Sequence, residues 1–169
     1  MLSRLYSPED FGTFALFISI SNILLIIGTW QYHMAIVIPK DYEESISLFY
    51  LSILLLSIMS ILFLIILMFF KGFIINLLEL KNVSNLFFLI PIYIFISGVY
   101  YTLRVLNSKN NNFGNSAKSS IVNSGVTYLV QIVYGIVFIN SLGLVYGSIL
   151  GICVATIFLL IVSLKFIPK

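Results

Sequence analysis

The chain has 169 residues, of which 60% are hydrophobic and 9% charged, with 9 Lys+Arg against 6 Asp+Glu and a formal net charge of +3. A soluble domain carries about 25% charge, so this chain cannot clothe a water-facing surface, and its apolar, aromatic character excludes disorder. One cysteine and one histidine exclude a disulfide framework and leave little for a metal site, and the charge is too small and scattered for nucleic acid. What remains is a multi-pass membrane protein.

The charges divide the chain. No Asp, Glu, Lys or Arg occurs from 11 to 39, from 45 to 70, from 82 to 103 or from 119 to 164. A membrane helix needs about 20 apolar residues. Each of the first three stretches holds one span. The last holds two, divided by the turn Asn140-Ser141-Leu142-Gly143. Spans are predicted near 11–38, 45–70, 84–106, 117–139 and 144–165, with residues 1–10 before them and 166–169 after. The short loops make consecutive helices antiparallel neighbours. The expected fold is an all-α integral membrane protein, a five-span antiparallel helical bundle.

The first span opens on Ser7-Pro8-Glu9-Asp10. Ser7 reads as N-cap, Pro8 as the first helical residue, and the acids suit the first turn. Gly12, Ala15, Ser19, Asn22, Thr29 and His33 recur along one face at steps of three or four, broken only at Ile26. Pro39 is expected to end this helix. The second span starts at Asp41 and Glu44, spaced as a capping box. It carries only scattered serines, so it is expected to be the most lipid-exposed.

The third span contains Pro91, expected to kink it, and lines up Tyr93, Ser97, Tyr100 and Arg104. The fourth lines up Ser116, Ser120, Asn123, Thr127, Gln131 and Tyr134. The fifth repeats Gly143, Gly147, Gly151 and Ala155 four apart, a small-residue face on which a partner helix packs closely. Cys153 reads as a small packing residue. The sequon Asn82-Val83-Ser84 lies too near the membrane edge to carry weight.

Polar stripes on three spans allow two readings. They line a shared wet interior that ends near Arg104 and His33, or they bond helix to helix. Arg104 also suits an anchor whose charge snorkels to the interface. On the first reading the substrate path holds Asn22, Gln31, His33, Tyr100, Arg104, Asn123 and Gln131.

Orientation follows from basic residues on alternating sides. Arg4, Lys71 and Lys81 lie on one side; Lys40, Arg104, Lys109, Lys118, Lys165 and Lys169 on the other. The second side is expected to be cytoplasmic, with the C-terminus inside and residues 1–10 outside. No apolar signal region precedes residue 11. An upstream helix is therefore expected, the alternative being a five-span protein with its N-terminus outside. All carboxylates lie at span ends, and no nucleophile with a base and no phosphate loop is present. The sequence predicts no enzyme, no metal and no cofactor.

Arg4-Leu5-Tyr6-Ser7-Pro8-Glu9-Asp10-Phe11-Gly12 resembles the signature after the first helix of bacterial polysaccharide flippases. So do Tyr32, Ala35-Ile36-Val37-Ile38-Pro39-Lys40 and the acidic Asp41-Tyr42-Glu43-Glu44. Supporting similarities are Leu89-Ile90-Pro91 leading to Gly98, Asn112-Phe113-Gly114, and Leu142-Gly143-Leu144-Val145-Tyr146-Gly147. The family is the polysaccharide transporter branch (Wzx-like, O-antigen or capsule) of the superfamily that includes MATE exporters and the lipid II flippase. The resemblance implies helices two to six in the first lobe of a two-lobe MATE-like fold. It also implies translocation of undecaprenyl-pyrophosphate-linked oligosaccharide to the outer leaflet of the bacterial cytoplasmic membrane by alternating access. Implied partners are that lipid-linked oligosaccharide, membrane lipid, the remaining transporter helices, and polysaccharide polymerase or chain-length machinery. Gln31 and His33 stand where many relatives carry Arg and Glu, so neutral or titratable groups replace a charged pair. A MATE-type exporter of small cations would want acids within the spans, and none is there. A non-transporting membrane scaffold, or a truncated inactive product, is the alternative from another class.

Overall fold

The computed structural model describes residues 2–77, 88–138 and 141–164. Five α-helices run in order: α1 Pro8–Thr29, α2 Tyr42–Leu77, α3 Leu89–Lys109, α4 Phe113–Val137 and α5 Leu142–Ser163. Short 3-10 helices lie at Leu2–Arg4 and Tyr32–Val37. No strand occurs among the described residues. All five α-helices are long and apolar enough to cross a membrane. The protein is an all-α integral membrane bundle.

The start of α1 follows from its sequence. The Ser7 hydroxyl accepts the Asp10 N–H at 3.2 Å, and the Asp10 carboxylate accepts the Ser7 N–H at 3.0 Å. Pro8 takes the first helical position, where its missing N–H costs nothing.

The end of α1 differs from the expected span to residue 38. The helix stops at Thr29, and Trp30 and Gln31 turn left-handed, with φ of 45° and 50°. The Thr29 hydroxyl donates to the Leu25 carbonyl at 2.8 Å and accepts the Gln31 N–H at 3.3 Å. It thus gives the Gln31 N–H, just past the helix end, a partner. The chain then winds as a 3-10 helix to Val37, which places His33 beyond α1 rather than on its polar stripe.

Pro91 lies in the first turn of α3, as the third residue of a helix that starts at Leu89. No intrahelical partner is lost there, so the expected mid-span kink does not arise. Its carbonyl instead receives the Ser60 hydroxyl of α2 at 2.9 Å. The predicted start of this span at 84, the Asn82-Val83-Ser84 sequon and Asn140 lie outside the described residues.

Helix α3 is the centre of the bundle. Half of its spanning window is buried, against 39% for α5, 22% for α2, 17% for α1 and 11% for α4. Within this chain the second span is thus not the least covered: α4, packed chiefly on α5, is the most open. Three of the five serines of α2 are ordered on one face, while Ser47 is exposed and Ser57 half-buried. Ser45, Ser52 and Ser60 share the buried face with Phe49, Leu56 and Phe63. Small residues let α2 approach α3 and α1: a Cβ on Gly98 would collide with Leu56, and one on Gly28 would lie 3.0 Å from the Phe63 ring.

Candidate functional site

Two polar side chains tie the segments outside the spans to the bundle. At one end Tyr6 is 4% exposed, and its hydroxyl donates to the Gln131 carbonyl of α4 at 2.7 Å. Its ring lies against Gly135 and Gly143, wedged between α4 and α5. Burial, with Asp10 and Tyr134 nearby, raises its pKa above 10.0, so the phenol stays a donor. At the opposite end the Lys109 ammonium of α3 donates to the Ile36 carbonyl at 3.2 Å and the Pro39 carbonyl at 2.6 Å, and also to the Ser45 hydroxyl. It gathers the 3-10 helix, the turn and the start of α2. Neither role was legible as spacing; Lys109 reads in the sequence only as an orienting charge.

The stripes of α4 and α5 meet each other. A Cβ on Gly147 would lie 3.0 Å from the Thr127 carbonyl, and one on Gly151 would lie 2.8 Å from the Asn123 carbonyl. Gln131 Nε2 donates to the Leu144 carbonyl at 3.1 Å. Ala155, fully buried, continues this face into the cluster of Ile36, Tyr100 and Leu103. Of the two readings of the α4 stripe, helix-to-helix bonding describes its inner edge.

The other edge opens on a cleft of about 350 Å³ at the Tyr6 end, between α1, α3, α4 and α5. Asn123, Thr127 and Gln131 line it with Phe11, Phe14 and Tyr93. A second cleft, of about 410 Å³, lies toward the Lys109 end. Asn22, Thr29, Gln31, His33 and Tyr101 line it. Phe11, Phe14, Asn22, Leu25 and Thr29 share one helical face, so both clefts border the same side of α1. His33 is half-buried, and desolvation lowers its pKa from the ordinary 6.5.

The structure thus divides the residues expected along a substrate path. Asn22, Gln31 and His33 line the second cleft; Asn123 and Gln131 line the first. Tyr100 and Arg104 line neither cleft. Tyr100 is buried with its hydroxyl 3.2 Å from that of Ser119. The Arg104 guanidinium stacks over the Tyr100 ring, 5.7 Å from its centre. Nor do the three stripes enclose one interior within this chain. Ser97 and Tyr100 of α3 and Ser116 and Gln131 of α4 are buried, whereas Gly12, Ala15, Ser19 and Asn22 of α1 face outward.

Residues 1–169 match the family described as polysaccharide biosynthesis protein. The chain belongs to that family. As a polysaccharide biosynthesis protein it joins a five-helix membrane bundle to a role in making or exporting polysaccharide. Neither the curated proteins nor the solved structures yield a match to it.

Proposed function

We propose that this chain forms part of the path by which an undecaprenyl-pyrophosphate-linked oligosaccharide crosses from the inner to the outer leaflet for surface polysaccharide (O-antigen or capsule). The observation that carries the reading is the pair of clefts along one face of α1, one toward each end of the bundle, each carrying uncharged or titratable polar side chains among apolar ones. A lipid tail can stay in the bilayer, but a hydrated sugar cannot enter hydrocarbon. It needs polar groups at each stage, which clefts opening alternately at the two ends would supply. The outward polar face of α1 suits the wall of a larger cavity, completed by the remaining helices of a two-lobe MATE-like transporter.

In this reading the bundle is part of the first lobe and lies in the bacterial cytoplasmic membrane, with its C-terminal end cytoplasmic. The protein is a transporter component rather than an enzyme. Polymerase or chain-length machinery takes up the cargo on the far side. A small-cation exporter fits less well, because no carboxylate among the described residues lines either cleft.

The test is restoration of surface polysaccharide in a bacterial strain that lacks its own oligosaccharide flippase and expresses the full-length protein. Restored polysaccharide supports the reading. Continued accumulation of lipid-linked oligosaccharide on the inner leaflet, with the protein present in the membrane, overturns it.

A further inference from the structure

The cleft at the Tyr6 end is mostly apolar, with a set of uncharged polar side chains among its lining. No Asp, Glu, Lys, Arg or His is among its lining residues, as far as the described residues go. Part of its polar lining is already committed: Gln131 Nε2 to the Leu144 carbonyl, Thr127 Oγ1 to Asn123 Oδ1 at 3.4 Å, and Ser148 Oγ to the Val145 carbonyl at 2.8 Å. The Tyr93, Tyr128 and Ser124 hydroxyls and the Asn123 amide N–H groups make no hydrogen bond within the protein among the described residues. They come from two helices, α3 and α4, and border one space, Tyr93 and Asn123 half-buried and Ser124 and Tyr128 exposed. In a membrane setting such groups need a polar partner.

The opposite wall is apolar and aromatic, with Phe11 and Phe14 of α1. A charged phosphate finds no cation here, and an acyl chain would leave the hydroxyls and amide unpaired. A neutral sugar suits both walls, since its hydroxyls can pair with amide and phenol groups while its C–H face lies on an aromatic ring. The volume, about 350 Å³, falls at the low end of small-molecule pockets, about 300–1,000 Å³. It admits a single sugar ring, not a whole oligosaccharide.

We infer that this cleft is a subsite for one uncharged sugar residue, read by Tyr93, Asn123, Ser124 and Tyr128, with the anionic pyrophosphate of the cargo held elsewhere. The inference rests on the proposed translocation for its biological setting, but its test does not.

The test is saturation-transfer NMR on the purified full chain in lipid nanodiscs, with glucose, N-acetylglucosamine, glucose 1-phosphate and inorganic pyrophosphate as probes. The variants are Tyr93→Phe, Ser124→Ala and Tyr128→Phe. Each removes a hydroxyl that holds no internal hydrogen bond, and thermal unfolding checks that each variant keeps its fold. At least one neutral sugar should receive saturation, and each variant should weaken its binding about fivefold, the effect of one net hydrogen bond. Glucose 1-phosphate should bind no better than glucose, and pyrophosphate should not displace the neutral sugar. No transfer to either neutral sugar, binding unchanged in all three variants, or displacement by pyrophosphate overturns the inference. Sugar binding without restored polysaccharide in cells overturns the translocation reading and leaves the subsite standing. Restoration without sugar binding does the reverse.

Discussion

The Tyr6 hydroxyl donates to the main-chain carbonyl of Gln131 across 2.7 Å, 125 positions along the chain. This contact gives the first signature segment a physical purpose. Ser7, Pro8 and Asp10 fix where α1 begins, and Tyr6, just ahead of them, fixes that beginning against α4 and α5. The segment is therefore a clasp at one mouth of the bundle, beside the uncharged cleft that Phe11 and Gln131 border.

Replacing Tyr6 separates the two parts of the clasp. Tyr6→Phe keeps the wedge and loses one buried hydrogen bond, a net cost of about 1 kcal/mol. Tyr6→Ala also leaves Gly135 and Gly143 facing a void and should cost about 3–5 kcal/mol. Thermal unfolding in detergent should rank the proteins wild type, Phe, Ala. Equal loss in both variants would show that the ring contributes nothing.

The α4–α5 contact predicts a contrast between glycines. At Gly151 a methyl group meets the Thr127 hydroxyl and the Asn123 carbonyl, which is backbone and cannot turn aside. Gly151→Ala should destabilise by about 1–3 kcal/mol or more through overpacking. Gly125 on α4 has nothing within 4 Å. Gly125→Ala should be neutral or stabilising, by up to about 1 kcal/mol of helix propensity. Unfolding midpoints of the two variants in one detergent measure the difference.

How much of this was legible beforehand depends on the kind of information. The spans could be read because charges sit between long apolar runs, and membrane solvation leaves few other arrangements for such runs. The end of α1 could not. The uncharged run continues to Pro39, and hydropathy does not distinguish an α-helix from a 3-10 helix. The left-handed residues Trp30 and Gln31 are not glycines, so the turn leaves no mark in the sequence. Pro91 misled for a related reason, since its effect depends on its position in a helix whose start is set elsewhere. Periodicity showed which residues share a face but not which faces meet. It placed Asn123, Thr127 and Gln131 together, and Gly143, Gly147 and Gly151 together. That the second set seats the first is a tertiary fact.

Lys109 makes a prediction at the opposite mouth. Its ammonium holds the Ile36 and Pro39 carbonyls and the Ser45 hydroxyl, with no carboxylate partner among the described residues. Lys109→Met keeps the apolar stem and removes all three donations. The group is half-exposed, so the expected global cost is only about 1 kcal/mol. The local effect should be larger: hydrogen exchange of residues 36–45 should speed up while that of residues 97–106 stays unchanged. Uniform acceleration in both segments would mean that Lys109 supports the whole bundle and not this turn.

His33 gives a pH dependence whose sign can be worked out. Burial in the second cleft disfavours the imidazolium, so its folded pKa lies below the ordinary 6.5 of the unfolded chain. As pH falls through 6.5 the unfolded chain takes up the proton first, and proton binding to the unfolded state lowers stability. The loss continues until the pH drops below the folded pKa, where both states are protonated and the penalty stays constant. Above 6.5 both states are neutral and His33 adds no slope. His33→Gln keeps a hydrogen-bonding side chain in the cleft but cannot titrate. The wild type should therefore lose more thermal stability than the variant between about pH 7.5 and pH 5.5. Carboxylates titrate in both proteins, so the difference between the two curves isolates His33. Parallel curves over that range would show that the imidazole is as well solvated in the folded protein as in the unfolded chain.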